Sequence, residues 1–332
     1  MRLEELDYDL PVERIAQVPV EPRDSARLLV DRGSAPPEHR HVRDLPSLLR
    51  PGDLLVVNET RVLASRLRLR RTTGAAVEVL LLEPVEAGRT TWEALVRPGG
   101  RLRAGEDLFD GTGAAVARLI GRAPAGDTFW VELLAPKRLA MIAEVPLPPY
   151  LHERLEDPER YQTVYASVPG SAAAPTAGLH LTDQLLQRIE DSGVTIAAVE
   201  LAVGLDTFQP VTASDPLMHR MHSERYRVPP LLLDRCRAAG RVVAIGTTTV
   251  RALESAAATG QLEGRTELFL HRGVEPQIVD VLLTNFHLPR TTLLMMIESF
   301  IGPRWRTLYA TALAEGYRFL SFGDAMLLDR HA

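Results

Sequence analysis

A single cysteine, Cys236, stands among 332 residues. One thiol can form neither an intramolecular disulfide nor a cysteine-cluster metal site, which excludes a fold stapled by bridges. Lysine is just as scarce. Lys137 is the only one, so nearly all of the 38 basic residues are arginines. Guanidinium groups suit phosphate forks and base stacking. The same skew also arises from genomic base composition, and the formal net charge of -5 runs against a uniformly basic surface for nucleic acid. No uninterrupted apolar run approaches the roughly 20 residues of a membrane-spanning helix. Met1-Arg2-Leu3-Glu4-Glu5 has no apolar centre of the kind a secretion signal carries. A cytoplasmic protein with no membrane partner is therefore expected. Gly-x-x-x-x-Gly-Lys-Ser/Thr, Gly-x-Gly-x-x-Gly, His-Glu-x-x-His and a nucleophile elbow are all missing. Nucleotide hydrolysis, dinucleotide redox chemistry and serine hydrolysis lose their usual signatures, as does an ordinary Rossmann-type methyltransferase.

What is present is an ordinary globular composition, 45% apolar and 24% charged, long enough for one large domain or two medium ones. Arg27-Leu28-Leu29-Val30 and Asp53 to Asn58 read as short buried strands, the second entered from the turn Pro51-Gly52. From about residue 60 the texture changes. Arg66-Leu67-Arg68-Leu69-Arg70 alternates strictly, as a half-exposed strand does. Val77–Leu82, Trp92–Val96 and Phe129–Leu134 follow as further short strands between turns at Arg97-Pro98-Gly99-Gly100 and Gly111-Thr112-Gly113. This spacing predicts a small antiparallel β-barrel over 61–147, ended by Pro146-Leu147-Pro148-Pro149. The remainder, 1–60 and 148–332, reads as one discontinuous α/β domain. Helices are expected from Thr182 to Ser192, Pro230 to Ala239 and Thr249 to Ala258, with strands at Val194–Val203 and Arg241–Gly246. The fold class is thus a mixed sheet with helices, interrupted by an inserted barrel.

Five segments could carry chemistry. At the strand-to-helix junction Gly246-Thr247-Thr248-Thr249-Val250-Arg251, hydroxyls, free N–H groups and a cation converge on a place where α/β sheets bind anions; the alternative is a well-capped structural helix. His219 and His222, three apart, share one helical face in this reading, with Glu224 close by. They read as a weak metal set, as a polar clamp with Glu224 acting as acid or base, or as exposed polar side chains. Ala174-Pro175-Thr176-Ala177-Gly178-Leu179-His180 makes a tight loop against which a ring can lie, with His180 either catalytic or structural. Asn285 and His287 alternate with apolar residues and share one side of an extended segment, as base readers or as loop anchors. Arg66, Arg68 and Arg70, with Arg71 adjoining, can follow an RNA backbone or form a solvated strand face.

Taken in order, these segments resemble the S-adenosylmethionine:tRNA ribosyltransferase-isomerase family of queuosine biosynthesis. The matching runs begin at Tyr8-Asp9-Leu10-Pro11, Arg23-Asp24 and Asn58-Glu59-Thr60-Arg61-Val62. They continue through Pro146–Tyr150, Tyr161–Ala166, Ala174–His180 and Met221-His222-Ser223-Glu224. Gly246-Thr247-Thr248, Arg251, Thr284–Pro289 and Tyr317–Met326 complete them. The chain departs from the family pattern at Ala202, where histidine is usual, and at Asp206, where glycine is usual. Ala26 and Leu181 replace a serine and a phenylalanine. The resemblance implies transfer and isomerisation of the ribosyl group of S-adenosylmethionine, a co-substrate, onto 7-aminomethyl-7-deazaguanine at the tRNA wobble position. The products are epoxyqueuosine-tRNA, adenine and methionine, with no metal required. It implies Glu224, His222 and His180 in proton transfer. Substrate contacts fall to Thr247, Thr248, Arg251, Asn285, His287, Pro175, Thr176, Tyr161 and Gln162, while the expected RNA contacts, Arg66, Arg68 and Arg70, come from the alternating strand outside the matched runs. A monomer is expected. The alternatives are an inactive tRNA-binding homologue and the same donor chemistry on another acceptor.

Overall fold

The computed structural model describes every residue except 1, 87–89, 101, 124–127, 154, 205–210, 212–214, 220 and 222. Two compact units emerge: Met1–Arg61 with Pro148–Val168 and Ala174–Ala332, and Val62–Leu147 with Pro169–Ala173.

The larger unit is built on a nine-stranded mixed sheet. Its strands in chain order are β1 (Arg27–Val30), β2 (Glu38–His41), β3 (Leu54–Asn58), β4 (Thr195–Leu201), β5 (Glu224–Arg227), β6 (Val242–Ile245), β7 (Glu263–Thr266), β8 (Val281–Asn285) and β9 (Ala325–Asp329). Their spatial order is β7-β5-β4-β3-β6-β8-β9-β1-β2. The central run β4-β3-β6-β8 is parallel. Such strands are buried on both faces and read as continuous apolar stretches. Leu54-Leu55-Val56-Val57 and Val242-Val243-Ala244-Ile245 are of that kind, and every one of these residues is buried. Leu55, Val57, Val243 and Ile245 pack on one face with Leu185 and Ile189, which come from the helix Asp183–Asp191, capped by the Thr182 hydroxyl on the Leu185 N–H. The helix Thr247–Thr259 packs along β3, β4 and β6.

The mixed sheet with helices is as expected, with two local corrections. The helix expected at Thr249 begins at Thr247, because Gly246 turns the chain at φ 86°, so all three threonines lie in its first turn. Glu224, close to His219 and His222 in sequence, is not on a helix. It opens β5, and among the described residues just before it the one helical turn is the short Pro216–Met218.

The smaller unit is a closed six-stranded antiparallel barrel. Going round, its strands are Phe129–Leu133, Thr91–Arg97, Ala76–Pro84, Arg66–Arg71, Asp107–Phe109 and Ala115–Arg122. The alternation in Arg66–Arg71 turns Leu67 and Leu69 inward beside Val77, Val79, Val116 and Val131, and Arg68 and Arg70 outward.

Candidate active site

The carboxyl ends of the parallel strands deliver the site residues, as is general for open α/β sheets. β6 is followed at once by Gly246, whose N–H bonds the Leu283 carbonyl of β8 at 2.8 Å. Its positive φ favours glycine and lets the helix start immediately. β8 ends at Asn285, and Val203 follows β4. Across from them the Pro175–His180 loop folds in tightly. A Cβ on Gly178 would lie 2.0 Å from the Tyr165 hydroxyl, so only glycine fits without displacement.

These elements wall a concave cleft of about 600 Å³, open mouth included. Tyr150, Pro175, Thr176, Thr247, Asn285 and His287 contribute to its lining. Thr176 Oγ1 donates to Asn285 Oδ1 at 3.1 Å, and Asn285 Nδ2 donates to His180 Nε2 at 2.9 Å. That assignment places the His180 proton on Nδ1. Thr284 Oγ1 and His287 Nε2 are 2.9 Å apart. Burial pulls the His287 pKa down to about 3. Burial first, then the charges of Arg318 and Arg23, pull His180 down to about 4. Both imidazoles are therefore neutral at pH 7. They can accept or donate hydrogen bonds, but they hold no acidic proton of the imidazolium kind. The backbone of His287 is held from behind by aromatic side chains. Its N–H donates to the Tyr309 hydroxyl at 3.0 Å, and its carbonyl accepts from the Tyr8 hydroxyl.

Thr247, Thr248 and Leu293 also line a second chamber of about 350 Å³, mouth included. It is walled by Met221, Leu268, Phe269, Leu270 and Met296 around Glu224 and Arg251. Arg251 and Glu224 are 4% and 5% exposed and form an ion pair, Nη1 to Oε2. The other carboxylate oxygen accepts from the Gly204 N–H at 3.1 Å. Burial lowers the Arg251 pKa to about 10, leaving it cationic at neutral pH. Arg251 Nε and the Thr248 hydroxyl are buried with no partner. The first turn of a helix also leaves its own N–H groups unsatisfied. An anion entering here would meet donors that lack acceptors. Among the described residues no cluster of three or more His, Cys, Asp or Glu side chains is placed to hold a metal ion.

The candidates thus separate into groups. Pro175, Thr176, Thr247, Thr248, Asn285 and His287 line one cleft, while Glu224 and Arg251 line the adjoining chamber. His180 reaches the cleft through Asn285. Tyr161 and Gln162 are buried and line neither cavity. Tyr161 packs edge-on against Phe322, and Gln162 offers its main-chain carbonyl to Arg23 at 2.7 Å. His222 and Asp206 lie outside the described residues. Ala202 is half-buried, its N–H bonded to the Arg225 carbonyl at 2.9 Å, and the next residue, Val203, lines the cleft. In the barrel, Arg66 lies 3.7 Å from Glu78, Arg68 lies 3.1 Å from Glu144, and Arg70 bonds the Gly74 carbonyl. Residue-level reading missed Tyr150, Ser321, Leu268–Leu270 and Met296. Tyr150 and Ser321, joined at 2.7 Å, sit inside matched runs, whereas the apolar wall carries no polar signal.

The arrangement defines an α/β-sheet protein with a small-molecule cleft and an adjoining anion-ready chamber at its strand ends. The family model for "Queuosine biosynthesis protein" matches residues 3–328, and the chain belongs to that family. It is 50% identical to the S-adenosylmethionine:tRNA ribosyltransferase-isomerase of Symbiobacterium thermophilum, over 99% of this chain and 100% of that one. It is 49% identical to the protein of the same name from Rubrobacter xylanophilus, over 99% of this chain and 98% of that one. The crystal structure of S-adenosylmethionine tRNA ribosyltransferase from Thermotoga maritima is similar at a TM-score of 0.56 and 36% identity, covering 97% of this chain and 99% of that one.

Proposed function

We propose that the chain is an S-adenosylmethionine:tRNA ribosyltransferase-isomerase acting as a cytoplasmic monomer. S-adenosylmethionine is the co-substrate and supplies the ribosyl carbons. The acceptor is the aminomethyl group of 7-aminomethyl-7-deazaguanine at the tRNA wobble position. Epoxyqueuosine-tRNA, adenine and methionine are the products. The observation that carries this reading is the pairing of a neutral polar cleft with a chamber holding one buried carboxylate–guanidinium pair.

The donor's sulfonium acidifies its neighbouring 5′ carbon, so the site needs a base there rather than a metal. A base must also take a proton from the acceptor ammonium. Glu224 serves these transfers, with His222 as second candidate. The methionine carboxylate sits at the helix start, where Thr247, Thr248 and Arg251 offer unused donors. Its aliphatic arm lies against Leu268, Leu270 and Met296. This carboxylate would share the guanidinium that pairs with Glu224. Asn285, His287 and, through Asn285, His180 hold the adenine or deazaguanine edge as neutral partners, and the Pro175-Thr176 loop supports the ring.

The test is the acceptor dependence of adenine release. Release is expected only when donor and tRNA carrying the aminomethyl base are both present. Equal release with the free base alone would move the chemistry to a small-molecule acceptor, and tRNA binding without release would indicate an inactive homologue.

A further inference from the structure

Beside the main cleft lies a small pocket of about 240 Å³, mouth included, lined by Pro19, Val20, Arg23, Arg160, Leu179, His180, Ser321 and Phe322. Ser321 belongs to both cavities, and His180 is bonded to Asn285 of the main cleft. Neither donor chemistry nor the base edge calls on this pocket. Its polar wall is guanidinium. Arg23 bonds the main-chain carbonyls of Gln162 and Glu159 at 2.7 and 3.1 Å. Arg318, outside the lining, bonds the carbonyls of Val18 and of the lining residue Phe322 at 3.2 and 3.0 Å. Carbonyl partners fix these groups in place and leave their formal charge uncancelled. Of the carboxylates nearby, one faces the pocket's own Arg160 and the other two are engaged elsewhere. Glu21, 69% exposed, pairs with Arg160 at 2.8 Å; Glu159 pairs with Arg61; Asp157 caps the turn that begins at Pro158. The field at His180 is accordingly positive, since both Arg318 and Arg23 disfavour its protonation. The barrel strand differs, because Arg66 and Arg68 face Glu78 and Glu144.

We propose that this pocket binds a phosphodiester of the RNA acceptor, held by Arg23, Arg160 and Arg318 while the neighbouring base occupies the main cleft. The inference rests on the tRNA reading above. Every nucleotide whose base enters a cleft carries phosphodiesters alongside it, and rigidly held guanidinium groups suit their oxygens. Phosphate contacts of this kind set register and orientation and make affinity depend on salt.

The experiment compares wild type with Arg318→Gln, Arg160→Gln and Arg318→Lys. For wild type, tRNA-dependent adenine release is established first; its absence would sink the tRNA reading itself. The glutamine variants are expected to weaken tRNA binding at least about tenfold. They should flatten the slope of log affinity against log salt by about 0.7 per lost contact, the single-strand value. The donor KM should stay unchanged, and lysine should restore most of the affinity. A methylphosphonate scan of the anticodon loop gives the second readout. One neutral linkage should weaken wild type as strongly as Arg318→Gln does, and Arg318→Gln should lose nothing more there. Unchanged tRNA affinity and salt slope in active glutamine variants would overturn the pocket while leaving the reaction intact. So would equal weakening of donor and tRNA, which marks a structural role.

Discussion

The buried Glu224–Arg251 pair gives the sharpest test of how stability and chemistry are combined at this site. Removing one partner of a buried ion pair leaves an uncompensated charge and costs about 3–5 kcal/mol, whereas replacing both with apolar side chains of similar volume is often neutral or stabilising. Glu224→Leu should therefore lose about 3–5 kcal/mol against a total that is typically about 5–15 kcal/mol. Glu224→Gln keeps an acceptor for Arg251 but not its charge, so about 1.5–3 kcal/mol is expected. The double variant Glu224→Leu/Arg251→Met should recover most of the loss. The pair is 4–5% exposed and surrounded by Leu268, Phe269, Leu270 and Met296, so leucine and methionine meet apolar neighbours. Denaturant unfolding of wild type, the single variants Glu224→Leu and Arg251→Met and the double variant yields the coupling energy, and adenine release by these proteins and by Glu224→Gln gives the activity. We expect a stable but inactive double variant. An unrecovered double variant would show that the two charges are not an energetic unit. Near-normal turnover by Glu224→Gln would remove Glu224 from proton transfer.

Three further outcomes follow from the same geometry. His180 and His287 have folded pKa values of about 4 and 3, below the unfolded value of about 6.5, so the unfolded chain takes up protons first as pH falls. Stability should decline below pH 6.5, by about 2 kcal/mol per histidine between pH 7 and pH 5; His287→Asn should shrink that pH dependence in paired denaturation curves, and an unchanged difference would refute it. Gly178→Ala should destabilise by about 1–3 kcal/mol through overpacking, with only partial recovery in Gly178→Ala/Tyr165→Phe, because the added carbon also meets Thr163 Cγ2 at 2.9 Å. Thr248→Val removes a buried hydroxyl that has no partner, so the free protein should be as stable or about 1 kcal/mol more stable; the donor KM should rise about tenfold, and an unchanged KM would clear Thr248 of donor contact.

The limits of sequence reading are instructive here. The strict alternation from Arg66 to Arg70 was legible because a strand has a period of two, and the inward leucines and outward arginines follow. The apolar runs at Leu54 and Val242 were legible as buried parallel strands for the same local reason. The start of the Thr247 helix was not, since three β-branched threonines read better as a cap than as a first turn. Histidine spacing suggested a helix near Glu224, but antiparallel pairing with β4 and β7 made it a strand. The contacts that organise the site are remote in the chain. Arg251 meets Glu224 across 27 positions and Asn285 meets His180 across 105. No local pattern encodes such meetings, so the residue types were readable while their partners were not. The acidic partners of Arg66 and Arg68 were hidden in the same way.

The central claim is most directly tested by the mass of the tRNA itself. Purified protein is incubated with S-adenosylmethionine and tRNA carrying 7-aminomethyl-7-deazaguanine, and digested nucleosides and small molecules are resolved by mass spectrometry. Equimolar adenine and methionine, with a matching gain of the ribosyl-derived group on the wobble nucleoside, are expected. An unchanged nucleoside, with the donor intact, would contradict it.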